Sequence, residues 1–138
     1  MKLTKAQRAA LREKFGGRCA YCGCELSEKW HADHVEAVER EGRFVRGKWV
    51  KSGNLLRPEN DNVDNLFPAC VKCNILKGPG TPETLRSALT YMAHSIPRIK
   101  TYSHVHHLMR FGKLEIDTTP VVFWFERYCA SADGAERG

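Results

Sequence analysis

"NLFPACVKCNILKG", residues 65–78, decides how this chain is read. Cys70 and Cys73 form a Cys-x-x-Cys pair, and the same spacing occurs upstream in "CAYC", at Cys19 and Cys22. Two such pairs in one small chain favour a four-cysteine zinc site over a redox dithiol, because thiolates are the ligands Zn²⁺ takes in closed, tetrahedral structural centres. The interval from Cys22 to Cys70 holds 47 residues (70 − 22 − 1), longer than in a simple zinc ribbon. Each pair is therefore expected to form a tight knuckle, with the metal tying two distant segments together. A disulfide framework would require export, and the charged, amphipathic start "MKLTKAQRAALREKF" has no apolar signal-peptide stretch. Cys24 and Cys129 are read as free thiols.

Composition narrows the class. The 138 residues, 42% of them hydrophobic, suit one compact domain with a modest core, so residues 1–138 are read as a single domain. No apolar run approaches the roughly 18–20 residues of a membrane span. The chain is expected to be soluble and cytoplasmic, with no membrane partner. Its net charge of +6 and pI of about 9.1 suggest a polyanionic partner, of which nucleic acid is the usual one.

Working outward, residues 4–15 read as a helix. Thr4 and Gln7 have the spacing of a capping box, and Gly16-Gly17 ends the helix. Trp30 to Val38 fits a short, partly buried strand. Residues 43–57, "RFVRGKWVKSGNLLR", read as a β-hairpin arm turning at Gly47. A helix is predicted from Thr81-Pro82, with Leu85, Leu89 and Met92 on one face and Pro97 near its end. A second helical stretch is predicted over 98–111. "VVFWFERY", residues 121–128, reads as a terminal apolar strand, followed by a loose tail, "ASADGAERG". Trp30 and Trp49 fit either the core or a DNA contact. His31 is expected near Asp33 without being a ligand. His104 and His107 have helical spacing but no carboxylate or cysteine beside them, so no second metal site is expected there.

The order Cys-x-x-Cys, Asp33-His34, Asn65-Leu66, Cys-x-x-Cys-Asn74-x-x-Lys77 resembles the HNH nucleases. "DHVEAVER", "NLFPAC" and "TPETLR" are most similar to the small HNH endonucleases of bacteriophages and their hosts. The resemblance covers about residues 15–90, and 98–138 form an extension outside it. It implies an α+β fold: a ββα-metal finger stabilised by the four-cysteine zinc site, with flanking helices and the hairpin arm. It implies that His34 is the general base, and an unperturbed imidazole titrates near neutrality. Asn65 would brace the loop by bonds to backbone near His34. Asp33 and Asn74 would hold one divalent cation. Asn stands at position 74 where many relatives have His, and two oxygen ligands suit Mg²⁺ or Mn²⁺. Lys77 would contact phosphate. The expected activity is hydrolysis of DNA phosphodiesters, by nicking or double-strand cleavage, leaving a 5′-phosphate and a 3′-hydroxyl, in a bacterial or phage-infected cell. The alternative is a zinc-dependent DNA-binding module without cleavage, serving a packaging or restriction assembly. A phage terminase is the partner type the resemblance suggests.

The resemblance helps least with the arm. Arg43, Arg46, Lys48, Lys51 and Arg57 are basic, no acidic residue lies among them, and "EAVER" and "ENDNVD" flank the segment with acids. The arm is inserted between two segments of the motif. It is therefore expected to follow the DNA backbone beside the cut, positioning the duplex without reading sequence.

Overall fold

A computed structural model describes residues 1–136. The fold is mixed α+β and divides into two compact units, Met1–Thr81 with the segment from Phe123 onward, and Pro82–Val122.

In the first unit, α1 (Lys5–Glu13) begins with the expected capping box. Gln7 N donates to Thr4 Oγ1 at 3.1 Å, and Thr4 N donates to Gln7 Oε1 at 2.9 Å, so two otherwise orphaned N–H groups are satisfied. Leu11 is buried on its inner face and Phe15 just beyond its end. Arg8 anchors the helix sideways, stacking 4.0 Å over the Trp30 ring and donating to Trp30 O at 2.9 Å. That places Trp30 in the core.

β1 (His31–His34) pairs antiparallel with β4 (Leu66–Ala69), with His34 opposite Leu66 and Asp33 opposite Phe67. α2 (Val71–Lys77) follows β4 directly. β2 (Arg40–Val45) and β3 (Lys48–Leu55) form a separate antiparallel hairpin. Its two-residue turn, Arg46-Gly47, has both φ angles positive, at 50° and 77°, the handedness that matches the twist of paired strands. The arm is thus a hairpin, as its sequence indicates.

The segment at 121–128 differs from the sequence reading. It contributes no strand; α5 spans Trp124–Glu136 and includes most of the tail expected to be loose, of which residues 137–138 lie outside the described residues. A short apolar run does not distinguish a buried strand from a buried helix by its period. Contacts from far along the chain decide it here. Trp124 N donates to Tyr21 O at 3.0 Å and Phe125 N to Ala20 O at 2.8 Å. Carbonyls of the first knuckle thus satisfy N–H groups that a helix start leaves free. Phe123 and Phe125 then complete an aromatic core with Phe15, Tyr21 and Phe67, in which Phe67 lies 5.0 Å from both Phe15 and Phe125.

In the second unit, α3 (Pro82–Ser95) starts at the predicted proline and buries Leu85. The next helix, α4 (Ser103–Arg110), starts later than expected. Around Pro97 the chain makes tight turns instead, with Ile99 N bonded to Ile96 O and Tyr102 N to Ile99 O, because proline cannot supply a helical N–H. Among the described residues, no helix is long and apolar enough to cross a membrane.

Candidate metal centre and adjoining cleft

The two knuckles converge. The sulfurs of Cys19, Cys22, Cys70 and Cys73 all lie within 4.8 Å of one another, and those of Cys22 and Cys70 are 3.9 Å apart. A tetrahedral ion with Zn–S bonds of about 2.3 Å requires sulfurs about 3.8 Å apart, so the set fits Zn²⁺. Local backbone shapes each knuckle. In the first, Cys19 N donates to Cys24 O at 2.8 Å and Gly23 N to Cys19 O at 3.0 Å, with Gly23 at φ 77°. In the second, Cys70 caps α2, its sulfur accepting from Cys73 N. A hydrogen bond from Cys73 pulls the Cys19 thiol down to about 4, while the same contact pushes Cys73 up. A bound ion would displace the protons of these thiols. Cys24 and Cys129 are exposed and are not among the four, although Cys24 lies against Cys22 and Cys70, and burial and then those contacts push its thiol up to about 12.

Tyr21, inside the first knuckle, links the cluster to the motif residues. Its hydroxyl donates to Asp33 Oδ2 at 2.5 Å. The strand alternation of β1 turns Asp33 into the core, where Lys77 Nζ lies 3.2 Å from Oδ2 and 3.3 Å from Oδ1. Lys77 also donates to His34 O at 2.9 Å. Burial pushes the Asp33 carboxyl above its usual value, opposed by the bonds from Tyr21 and Lys77. Burial, then Asp33, pushes the Tyr21 hydroxyl up. Lys77, read as a phosphate contact, has a side chain only 1% exposed; its ammonium neutralises Asp33 and ties α2 to β1.

His34 is half-buried, and its Nε2 lies 2.9 Å from Asp61 Oδ1. The N-terminal ammonium, 2.8 Å from Asp61 Oδ2, and then His34 hold the Asp61 carboxyl below its usual range. Asn65 closes the loop between them. Its Nδ2 donates to Glu36 O and Asn60 O, both at 2.8 Å, and its Oδ1 accepts from Glu36 N at 3.0 Å. Its own carbonyl accepts from Val35 N at 2.9 Å. The Asn74 amide lies 2.8 Å from His31 Nδ1.

His34 and Asn74 line one cleft of about 320 Å³, with Asp33, Glu39 and Arg40 also in its wall. Arg43, Arg46, Lys48 and Lys51 are exposed on the arm and are not part of that wall. Three residues of the site have no role in the sequence reading. Tyr21 is signalled only by its position inside a knuckle, and Asp61 only as one acid of "ENDNVDN". Arg40 is marked only as the last residue of "DHVEAVER", at the base of the arm.

Among the described residues, the four cysteines are the one cluster of three or more side chains suited to a metal. Both Asp33 oxygens are engaged by Tyr21 and Lys77, so Asp33 and Asn74 do not form a ready donor set for Mg²⁺ or Mn²⁺. Compared with known protein families, with curated proteins and with solved structures, the chain has no match.

Proposed function

We propose that this chain is a metal-dependent DNA endonuclease of the HNH kind, in which β1, β4 and α2 form a ββα-metal finger braced by zinc on the four cysteines. The observation that carries this reading is Asn65. Its side chain makes three bonds to backbone at Glu36 and Asn60, fixing the loop that leaves His34. That is the work the resemblance assigns to an asparagine between the histidine and the second knuckle.

The proton chemistry follows from the His34–Asp61 pair. A neutral imidazole donating Nε2–H to Asp61 keeps the lone pair of Nδ1, which can take a proton from water in the cleft. Asp61 orients the ring and stabilises the imidazolium that results. Arg40 and Asn74, in the same wall, would meet the phosphate. The Mg²⁺ or Mn²⁺ implied by the resemblance would neutralise charge on that phosphate; its donors are not assembled here, and the proton passes from water to His34 without it.

A specific observation favours the second reading, a zinc-dependent DNA-binding module without cleavage. Asp33 is buried and paired with Lys77 rather than open to a cation, and the four-cysteine cluster by itself accounts for a metal-binding module. Supercoiled plasmid incubated with zinc-loaded protein separates the two. The endonuclease yields nicked or linear product in Mg²⁺ and none in Ca²⁺. The binding module retards the plasmid in both and leaves it intact.

A further inference from the structure

The hairpin arm presents two unlike faces. Register pairs Phe44 with Trp49, Gly42 with Lys51, Arg43 with Val50 and Val45 with Lys48. Opposed residues share a face, and side chains alternate along each strand. One face therefore carries Gly42, Phe44, Trp49 and Lys51. The other carries Arg43, Val45, Lys48 and Val50, and nearer the base Glu41, whose carboxylate accepts from Ser52 Oγ at 2.7 Å and Asn54 Nδ2 at 2.9 Å.

The first face is flat, aromatic and free of acid. The Trp49 indole leans over Gly42 so closely that a Cβ there would lie 2.5 Å from its ring carbons. Closing over a glycine accounts for Trp49 as a stabiliser of the hairpin. It does not account for Phe44. That ring is 73% exposed, meets the Trp49 ring at 5.2 Å in a T-shaped contact, and leaves Trp49 itself 51% exposed. Two open rings on a ribbon bearing Arg43, Arg46, Lys48 and Lys51 have the composition of a surface that follows a phosphate backbone and stacks its bases. Lys51 on the aromatic face and Arg46 at its turn add positive charge that a phosphate backbone would match and a second copy of the arm would not. Base faces are available only where DNA is unpaired, since a duplex presents base edges in its grooves.

We propose that the Phe44–Trp49 face of the arm stacks unpaired nucleobases, so that the substrate is single-stranded or locally opened DNA. This deepens the reading under Proposed function and rests on it for DNA as the partner. Arg40 begins the same strand and lines the cleft beside His34. Four residue steps of about 3.3 Å each lead from Arg40 to Phe44, about 13 Å. A strand held on the rings thus runs toward the cleft.

The experiment measures binding of the full, zinc-loaded chain in Ca²⁺ to three fluorescent 20-mers: a thymidine strand, an abasic strand of the same charge, and a mixed-sequence duplex. The thymidine strand is expected to bind about tenfold or more tighter than the abasic strand, on the scale of one or two stacked bases, and tighter than the duplex. Phe44→Leu, which keeps an apolar side chain in the hairpin and removes the π-face, is expected to erase most of that preference. Equal affinity for the thymidine and abasic strands in the wild-type protein overturns the proposal with no mutation involved; so does tighter binding to the duplex. The endonuclease reading fails separately. A protein that prefers the thymidine strand yet nicks no DNA in Mg²⁺ keeps the stacking face and loses the nuclease, and one that cuts without preferring bases does the reverse.

Discussion

The knuckle region and the hairpin arm belong to the same compact unit but are held by opposite means. Around the knuckles, distant segments meet: Cys19 and Cys22 with Cys70 and Cys73, Tyr21 and Lys77 on Asp33, Asn65 on Glu36, and Ala20 and Tyr21 carbonyls on the start of α5. The bonds of Tyr21 and Lys77 to Asp33 are buried, and all of these contacts join segments well apart in the chain. The arm is held locally, by its two-residue turn, by the Phe44–Trp49 pair and by Glu41 with Ser52 and Asn54. A lone two-stranded hairpin is marginally stable, and both faces of this one meet solvent. On the proposed function, the knuckle region would fix atoms for chemistry and the arm would offer a surface for binding. Substitutions of the residues that make the knuckle contacts should therefore appear in folding, and those on the arm in affinity.

The largest effect is expected at the metal. Cys70→Ser removes one of four ligands, and structural zinc in small domains contributes on the order of 10 kcal/mol to folding. The variant should purify with less than one zinc per chain by elemental analysis and lose its cooperative thermal transition. A variant that melts like the wild type would erase the difference between the two regions.

Next comes the buried ion pair. Lys77→Met leaves Asp33 without its cation, a loss of about 3–5 kcal/mol for a broken buried pair, measured by urea unfolding. The sign of its pH dependence follows from burial, which holds the Asp33 carboxyl above its ordinary value of 3.8. A group raised in the folded state binds its proton more tightly there than in the unfolded chain. Its charged form therefore costs stability as pH rises through the folded value. The deficit of Lys77→Met should be full at neutral pH and shrink as the solution is acidified. An equal deficit at all pH values would mean that lost packing, not the unpaired carboxylate, is responsible.

The smallest effect is expected on the arm. Replacing Arg46 and Lys48 with Ala should weaken DNA binding across all sequences and reduce the salt slope by roughly one to two, with the melting temperature unchanged. Unchanged salt dependence would return the arm to a solvated loop; a lowered melting temperature would show that it is coupled to the core.

Much of this was legible because the signals are local. Thr4 and Gln7 announce a capping box, Gly47 a turn, and two Cys-x-x-Cys pairs a thiol-rich centre. The illegible parts depend on meetings between distant segments. Residues 121–128 are apolar enough for strand or helix, and the carbonyls of Ala20 and Tyr21, about a hundred positions away, favour the helix. Lys77 reads as a free cation until α2 turns it inward onto Asp33. Asp61 is one acid among several until folding places it on His34. Charge in a sequence does not reveal whether a side chain will meet water or a partner.

If His34 is the base of the proposed chemistry, its loss should stop cleavage and leave the scaffold intact. His34→Ala and wild-type protein, each with one zinc per chain and matched in DNA affinity, should be compared for nicking of supercoiled plasmid in Mg²⁺ under single-turnover conditions. The account predicts a rate lower by roughly 10²-fold or more in the variant, with melting temperature and zinc content little changed. Nicking at the wild-type rate would contradict it.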